Sequence, residues 1–495
     1  MNMRLRVNTK ENVEGNLLEL NEEIIEPLSP TSELLLSEIA TLYILSFFEL
    51  EIPVDFPSTI AFLSDVFINV HPRLSSIVIE NKRGRKMWKK VAVDVEDHIK
   101  VPSFPEGLSI KDYNEQFDNY TAKIATSQLP QDKPLWELHV INCPKVHTSA
   151  AVFIFKFHHA VGDGTSLMRG LLSCIKRVDD PSLPLTFPSK DRSTSRNNEH
   201  CTVANTMTNM FKIVREFLSS VIYSLYDFAQ GVRLLLTEDS VTPIRSGTTD
   251  MTRPFSTGVY SVNLSLNGVK RIKALLGVTV NDIIVGIIFL GTRLYIKEVE
   301  QTQEKKRRST ASIFVNIRSG KGNGSLEEMR KAKTWGNRIT NIELPLPIFD
   351  DEDVADPLTF IKKAHKIIKK KRFGIYGPFL MAGLLDTIRA FAGFQTAAKT
   401  FERRWKNSSF AITNIIGPTE KFSFANHPVK GFYFVPTGIN VSLVVSVLSY
   451  VEELRFGLVV EKGFIDHQRL IICVENAFQM IFEAAQATSS ANIVE

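Results

Sequence analysis

Two adjacent histidines, His158 and His159, stand four residues before Asp163, which lies between Gly162 and Gly164. Neutral imidazole, with an unperturbed pKa of about 6.5, can take a proton from a hydroxyl and return it to a leaving group near neutral pH. Consecutive side chains at an extended strand end point to opposite faces, so only one histidine can face a given cleft. His159, the nearer to the loop, is the predicted general base.

The surrounding residues place this motif between a strand and a helix. Residues 150–157 are almost all apolar, as in a buried strand, and apolar residues recur at helical spacing after Gly164. The glycines beside Asp163 allow a tight reversal of the chain. Asp163 is therefore either the N-cap of the helix or the group that orients the loop, and one side chain can do both.

The sequence offers no other catalytic or metal-binding arrangement. The remaining histidines are isolated, and the chain has no HExxH motif, no Cys/His cluster and no GxSxG serine elbow. The glycine-rich segment 319–325 lacks the GK[ST] ending of a phosphate-binding loop. No metal is expected.

Composition indicates a folded globular chain with more than one core. Its 495 residues are 44% hydrophobic and 23% charged, with a formal net charge of +5. Basic runs at 82–90, 305–308 and 366–372 are either solvated faces or sites that meet phosphates or an anionic membrane surface. Trp88 apart, they lack interleaved aromatics, which argues against a nucleic-acid partner.

Cysteine usage and hydropathy bear on location. The four cysteines are scattered without CxxC spacing, and the polar N-terminus carries no secretory signal, so we expect a reducing, cytosol-facing location. Charged residues interrupt the apolar windows 34–50 and 217–236, so neither is predicted to span a membrane. The second has roughly helical spacing and suits either an interface or the cover of an apolar tunnel.

Strands and helices mix without a repeat period, which predicts an α+β fold in two layered halves. We expect a polar tail over 1–27, an N-terminal half over 28–187, a linker with an apolar helix over 188–250 and a C-terminal half over 251–495. In the last part, Asn281 or Asp282 is expected to cap a helix that is apolar nearly all round and therefore buried.

Residues 158–164, HHAVGDG, resemble the HHxxxDG signature of the CoA-dependent acyltransferase superfamily. That superfamily includes plant alcohol acyltransferases, peptide-synthetase condensation domains and wax ester synthase/diacylglycerol acyltransferases. Residues 134–136 resemble the PLW motif of the last group, 281–282 its ND motif and 413–418 its SNVPGP-like segment. Together they resemble a plant-type wax ester synthase/diacylglycerol acyltransferase over about residues 28 to 485.

Two departures from the family pattern stand out. Residues 413–418 read TNIIGP, which alters the segment but keeps Asn414. The DFGWG motif of many plant alcohol acyltransferases is absent, and Trp335-Gly336-Asn337 is a poor substitute for it. The absence argues against the branch that makes small esters and amides.

The resemblance implies two chloramphenicol-acetyltransferase-like layered domains with an active-site channel between them. It implies that acyl-CoA, a substrate and not a cofactor, enters from one face, and a long-chain alcohol or diacylglycerol from the other. The acceptor hydroxyl then attacks the thioester directly. A membrane surface is an expected partner, with the cytosolic face of the endoplasmic reticulum as the location and the plasma membrane as the alternative.

The resemblance also assigns residues to roles. The catalytic group is His159 with His158 and Asp163, and Asp163 is expected to pair with Arg318. Support for the active site and the oxyanion is assigned to Asn281, Asp282, Gly164 and Arg318. The substrate channel is assigned to Pro134, Leu135, Trp136 and Asn414.

Two other functions stay open at this point. The same histidine serves condensation on carrier-bound acyl groups, although no carrier-like sequence adjoins it here. From a different class, a lipid-binding protein could keep the motif for its architecture alone. Chain-length preference, the balance of wax ester and triacylglycerol, and the oligomeric state are not predicted.

Overall fold

The computed structural model describes residues 24–105, 107–142, 149–186, 203–247, 256–300, 307–318, 334–347, 351–371, 374 and 376–494. Three predicted features lie outside these residues. They are most of the polar tail, the first residues of the linker predicted over 188–250 and the glycine-rich segment 319–325.

Helices and strands are mixed along the chain. The helices are α1 (Pro30–Leu35), α2 (Phe56–Asp65), α3 (Ile110–Thr126), α4 (Gly164–Leu172), α5 (Val203–Leu236), α6 (Leu266–Leu276), α7 (Val280–Glu300), α8 (Asp351–Ala355), α9 (Leu358–Lys371), α10 (Gly377–Lys406) and α11 (His467–Val494). The strands are β1 (Ile24–Pro27), β2 (Tyr43–Leu50), β3 (Ser76–Glu80), β4 (Lys86–Lys90), β5 (Ile99–Lys100), β6 (Trp136–Ile141), β7 (Ala151–His158), β8 (Lys176–Arg177), β9 (Thr257–Ser265), β10 (Thr310–Asn316), β11 (Ile339–Pro345), β12 (Phe410–Ile416), β13 (Phe422–Phe424), β14 (His427–Thr437), β15 (Leu443–Tyr450) and β16 (Glu453–Glu461).

Within the described residues the strands form three sheets. A seven-stranded sheet has the order β5-β6-β7-β2-β14-β13-β8, a six-stranded sheet the order β11-β10-β12-β15-β16-β9, and a small sheet the order β1-β4-β3. Strands β13 and β14 come from the C-terminal part of the chain but pair with β8 and β2 of the N-terminal part. The C-terminal part of the chain therefore contributes two strands to the seven-stranded sheet, and the domain boundaries predicted from the sequence stay a prediction.

The elements around the histidine motif agree with their predictions. Strand β7 lies between β2 and β6, and all eight of its residues are buried. Because β7 is an interior strand and both faces of the sheet are covered there, its residues form a continuous apolar run. Helix α4 begins at Gly164, the last residue of the motif.

Helix α7 is the buried central helix that was expected, but its cap differs. Residues 282–293 of α7 are all buried, and α7 packs against α9 and α11. The prediction of Asn281 or Asp282 as the cap is wrong, because Thr279 precedes the helix and its hydroxyl accepts from the Asp282 amide at 3.2 Å. The Asp282 carboxylate in turn accepts a hydrogen bond from the Thr279 amide at 2.8 Å, as in a capping box.

Hydropathy of the helices bears on membrane spanning. Among the described residues, no single helix combines the length and the apolar character of a span. The consecutive helices α6 and α7 pass such a test only together, and they meet at a bend of 107°.

One buried ion pair joins the two larger sheets. Arg455 on β16 donates to both carboxylate oxygens of Glu49 on β2, at 2.9 and 3.3 Å, and both side chains are largely buried. Gly431 on β14 makes room for this pair, since a Cβ there would lie 2.1 Å from Glu49 Oε2. A bidentate guanidinium–carboxylate pair fixes orientation as well as distance.

We expect Arg455→Met to lower the free energy of unfolding by about 3–5 kcal/mol, because it leaves the Glu49 carboxylate buried without its partner. The double variant Glu49→Leu/Arg455→Met should be clearly less destabilised than Arg455→Met. Denaturant unfolding of the three proteins measures this coupling. Additive losses in the double variant would contradict a coupled pair.

Candidate active site

The histidine motif is a loop held at both ends by backbone hydrogen bonds. The His158 amide donates to the Leu135 carbonyl at 3.0 Å, and the His159 amide donates to the Leu42 carbonyl at 2.8 Å. The Val161 amide closes a turn onto the His158 carbonyl at 3.0 Å. The loop therefore leaves the sheet in a fixed direction.

The tautomer of His159 is set by Asn337. Asn337 Nδ2 donates to the His159 carbonyl at 2.8 Å, and since a carbonyl only accepts, this bond orients the amide. Asn337 Oδ1 then faces His159 Nδ1 at 2.9 Å, so Nδ1 carries the proton. His159 Nε2 is left with its lone pair and has no hydrogen-bond partner among the described residues.

Burial keeps His159 neutral. Removal from water lowers the pKa of His159 below its usual value, and the negative charge of Asp163 and the Asn337 hydrogen bond offset this only in part. The side chain is thus an unprotonated base near neutral pH.

His158 supports the loop from the other side. Its Nδ1 accepts from the Ala160 amide at 3.0 Å, and its ring meets the Tyr43 ring edge-on with centroids 5.2 Å apart. Burial lowers the pKa of His158 to about 3, with the neighbouring His159 adding to the effect. These contacts suit a structural residue.

Asp163 both caps α4 and positions the loop, so the two alternatives left open by the sequence hold together. Its Oδ1 accepts from the Ser166 amide at 2.9 Å, and its Oδ2 accepts from the Arg338 amide at 2.8 Å. The pairing expected with Arg318 is present, with Nη1 2.9 Å from Oδ2 and Nη2 3.0 Å from Oδ1. The carboxylate is fully buried.

Sequence reasoning missed the importance of Trp335-Gly336-Asn337. Trp335 Nε1 donates to the Val161 carbonyl at 3.0 Å, and its ring stacks on His71 with centroids 4.1 Å apart. The Gly336 carbonyl accepts from Arg318 Nη2 at 2.7 Å. The only sequence feature that could have indicated their role is Gly336, which lies between an aromatic and an amide residue just before β11. The segment matches DFGWG poorly, yet all three of its residues contact the motif or its arginine.

A buried arginine joins the N-terminal segment to the same loop. Arg73 Nη1 donates to the Val161 carbonyl at 3.1 Å, and its Nη2 lies 2.6 Å from Glu26 Oε1. Gly336 has φ of 109°, and a Cβ there would lie 2.8 Å from Arg73 Nη1. Burial lowers the pKa of Arg73, and the Glu26 charge opposes this. The N-terminal segment is therefore part of the site's framework.

The ND motif and the SNVPGP-like segment meet each other. Asn414 Nδ2 donates to Asn281 Oδ1 at 2.8 Å. Ile415 reaches the start of α4, where a Cβ on Gly164 would lie 2.4 Å from Ile415 Cδ1. Asp282, besides its role at the start of α7, is bonded to His365 Nδ1 at 2.9 Å.

An apolar cavity lies beside the motif, with about 550 Å³ of empty space including its mouth. Phe157, directly before His158, and Gly164, directly after Asp163, both line it. The other lining residues are Ile44, Ser46, Phe67, Val70, Leu74, Phe155, Leu167, Met168, Gly170, Leu171, Trp335, Ile415, Phe432 and Phe434. Its only hydroxyl is that of Ser46.

The residues assigned to the channel do not line this cavity. Pro134, Leu135, Trp136 and Asn414 are all absent from its lining. Trp136 is fully buried, donates from Nε1 to the Leu74 carbonyl at 2.8 Å and stacks on His98. The PLW segment thus anchors the motif strand, and the Leu135 carbonyl holds the first loop residue.

Comparison with solved structures identifies the fold. A wax ester synthase/diacylglycerol acyltransferase from Marinobacter aquaeolei VT8 covers 93% of this chain and 100% of its own length, with a TM-score of 0.56 and 16% identity. The first condensation domain of the calcium-dependent antibiotic synthetase covers 98% and 97%, with a TM-score of 0.53 and 14% identity. At such identities the likeness shows the fold alone, and it confirms the predicted two-domain, chloramphenicol-acetyltransferase-like α+β architecture.

Comparison with protein families and known sequences gives the family. Residues 67–284 match the wax ester synthase/diacylglycerol acyltransferase catalytic domain, and residues 335–482 match the WS/DGAT C-terminal domain. Wax ester synthase/diacylglycerol acyltransferase 6 of Arabidopsis thaliana is 28% identical over 96% of each chain. Wax ester synthase/diacylglycerol acyltransferase 3 of the same plant is 28% identical over 90% of this chain and 91% of its own length. The chain therefore belongs to the wax ester synthase/diacylglycerol acyltransferase family of acyltransferases.

Proposed function

We propose that this protein transfers a long-chain acyl group from acyl-CoA to the hydroxyl of a long-chain alcohol or of diacylglycerol, with His159 as general base. The observation that carries the proposal is the hydrogen bond from His159 Nδ1 to Asn337, which leaves Nε2 as the basic nitrogen. The family membership and the apolar cavity beside the motif support the substrate class.

In the proposed reaction, His159 Nε2 removes the proton of the acceptor hydroxyl as its oxygen attacks the thioester carbonyl. The tetrahedral intermediate then collapses, the carbon–sulfur bond breaks, and the thiolate of CoA takes the proton from the imidazolium. No acyl-enzyme forms. The buried Asp163 charge favours the protonated form of His159, so it stabilises the imidazolium as it develops.

Asn281 is the proposed donor to the oxyanion. Asn414 donates to Asn281 Oδ1, which leaves Asn281 Nδ2 without a hydrogen-bond partner among the described residues. A fixed amide with a free N–H pair is the kind of preorganised donor that stabilises developing negative charge. Asn414 is then a positioning residue for Asn281.

The cavity suits the hydrocarbon part of a lipid substrate. Apart from the Ser46 hydroxyl its lining side chains carry almost no polar groups, as expected of a site that holds a hydrocarbon chain. Each buried methylene contributes about 0.8 kcal/mol, so a long chain gains affinity from such a lining.

The substrate chemistry also bears on location and cofactors. Long-chain alcohols and diacylglycerol reside in membranes, so we place the reaction at the cytosolic face of the endoplasmic reticulum, with the plasma membrane as the alternative. The acyl group arrives already activated as a thioester, so the proposed reaction uses no resident cofactor.

We expect His159→Ala to lower ester formation by about 10²–10⁴-fold, since the variant lacks the base but keeps the backbone contacts of the loop. The assay supplies palmitoyl-CoA with hexadecanol and diacylglycerol in competition, without any carrier protein, and separates the lipid products. Circular dichroism of the variant checks its fold.

Other outcomes of this assay discriminate among the functions. A wild-type protein that binds acyl-CoA but forms no ester from either acceptor would favour a lipid-binding role. Turnover that needs a carrier-bound acyl group would favour condensation. A His159→Ala protein that retains most of the activity would refute the assignment of the base.

Replacement of Asn337 tests the control of the tautomer. We expect Asn337→Ala to lower kcat roughly 10²-fold, because Nδ1 loses its acceptor and the imidazole its fixed orientation. The hydrogen bond that His159 Nδ1 donates to Asn337 Oδ1 raises the pKa of His159, so its loss should move the acid limb of the pH–kcat/KM profile to lower pH. Ser32→Ala is the control, because Asn337 Nδ2 keeps the His159 carbonyl as an acceptor. An unshifted acid limb would argue against this role.

Narrowing the cavity tests the acyl site. We expect Leu167→Trp to lower kcat/KM for long acyl-CoA at least about tenfold more than for short acyl-CoA, because the indole fills space beside the motif. Leu172→Trp, on the same helix but outside the cavity lining, is the matched control. Equal losses for all chain lengths would show that the cavity does not hold the acyl chain.

A further inference from the structure

Exposed apolar side chains are concentrated on two long helices. About half of the large apolar side chains that are exposed in the described residues lie on α5 or α10. They include Phe217 and Ile222, which are 60% and 63% exposed, and Phe391, which is 90% exposed. Contiguous exposed apolar surface on a folded protein marks an interaction site.

On α5 these side chains form a broad stripe. At about 100° per residue, they cover roughly half of the helix circumference. The stripe consists of Ile213, Val214, Phe217, Leu218, Val221, Ile222 and Leu225. Opposite it lie Glu216, Ser219 and the buried Asp227. An amphipathic helix of this kind suits the interface between lipid and water.

Helices α5 and α10 pack closely against each other. A Cβ on Gly377 would lie 2.8 Å from Asp227 Cβ, and a Cβ on Gly231 would lie 2.5 Å from Met381 Cε. Gly393 interrupts α10 with φ of 84°, so Phe391 lies just before a corner. We call the exposed apolar side chains of α5 and α10 the apolar face.

A basic rim adjoins the apolar face. Lys366, Lys369 and Lys370 on α9 are exposed. Lys371 of the same helix forms an ion pair with Asp227 of α5, which ties the end of α9 to the apolar face. Among the described side chains, the exposed acids of α5 and α10 are Glu216 and Asp386.

We propose that the apolar face and its basic rim dock the protein on the surface of a bilayer that contains anionic phospholipid. Lipid headgroups neutralise the lysines, while the apolar side chains enter the acyl boundary. A second copy of the chain is a poorer occupant, because a two-fold contact apposes the same surface of each copy and, among the described side chains, offers the three lysines only the exposed carboxylates of Glu216 and Asp386 on α5 and α10. The proposal deepens the membrane placement given above.

The face also connects with the active site. Arg389 on α10 forms an ion pair with Glu33 of α1, and the neighbouring Ser32 hydroxyl contacts the Ala160 carbonyl and Asn337. In the proposed arrangement the bilayer contacts α10, which is joined through α1 to residues that hold the His159 loop.

Vesicle sedimentation of the full chain tests the proposal without substrate, so it fails or succeeds independently of acyl transfer. Vesicles contain phosphatidylcholine with or without phosphatidylserine. We expect Phe217→Ser/Ile222→Ser/Phe391→Ser to lower binding to both kinds at least about tenfold. The control Val101→Ser/Ile110→Ser/Ile472→Ser removes three apolar side chains elsewhere that are each more than half exposed, and it should bind like the wild type.

A charge series tests the rim. We expect Lys366→Glu/Lys369→Glu/Lys370→Glu to lower binding to phosphatidylserine vesicles at least about tenfold, with a smaller effect on phosphatidylcholine alone. The control Lys82→Glu/Arg83→Glu/Arg85→Glu reverses charge at another exposed basic run and should retain binding. Unchanged binding in the apolar variant would overturn the proposal. The proposal would also be overturned if the wild type were a dimer in sedimentation velocity and the apolar variant lost the dimer but still bound vesicles. That result would assign the face to a second copy of the chain.

Discussion

The hydrogen bond between His159 and Asn337 is the interaction on which the site depends. It decides which imidazole nitrogen carries a proton, and the same amide holds the backbone carbonyl of His159. Around it, Asp163, Arg318 and Trp335 fix the loop by bonds to charged groups and carbonyls. A base that acts without acyl-enzyme formation needs this preorganisation, because the acceptor and the thioester must meet at a single nitrogen.

Such a site requires that the N-terminal and C-terminal parts of the chain keep a fixed position relative to each other. His159 and Asp163 come from the N-terminal part, whereas Asn337 and Arg318 come from the C-terminal part. Two features fix this position. Strands β13 and β14 lie in the seven-stranded sheet, and Glu49 pairs with Arg455. The pairing of β14 with β2 adds backbone hydrogen bonds, which are less easily displaced than contacts between surface side chains. The fold thus provides the rigidity that the loop itself lacks.

Apolar surface has two different uses in this molecule. Inside, Phe155 and Phe157 of β7 line the cavity beside the motif, together with Phe432 and Phe434 of β14. Outside, Phe217 and Phe391 remain exposed on helices that α9 borders with lysines. Burial of apolar area is favourable in either place, but only the second needs a partner, and the proposed bilayer provides one.

Local sequence signals determined the local structure of the site. The apolar run of β7, the helical spacing after Gly164 and the glycines around Asp163 predicted a strand, a capped helix and the loop between them. The uniformly apolar α7 was correctly predicted as buried, although its cap proved to be Thr279, because a hydroxyl just before the first turn competes for the same amides. Family resemblance, and not pattern alone, predicted the pairing of Asp163 with Arg318.

Only the tertiary structure selected the residues that complete the site. Asn337 lies 178 residues from His159 along the chain, and Arg73 lies 88 residues from Val161. Periodicity and capping preferences describe neighbours within a few residues, so they carry no information about such pairs. The position of Trp335-Gly336-Asn337 against the loop follows from how the strands of the two sheets are ordered. The sequence therefore determined what the loop is made of, and packing between distant segments decided what holds it, because those contacts exist only once both sheets have formed.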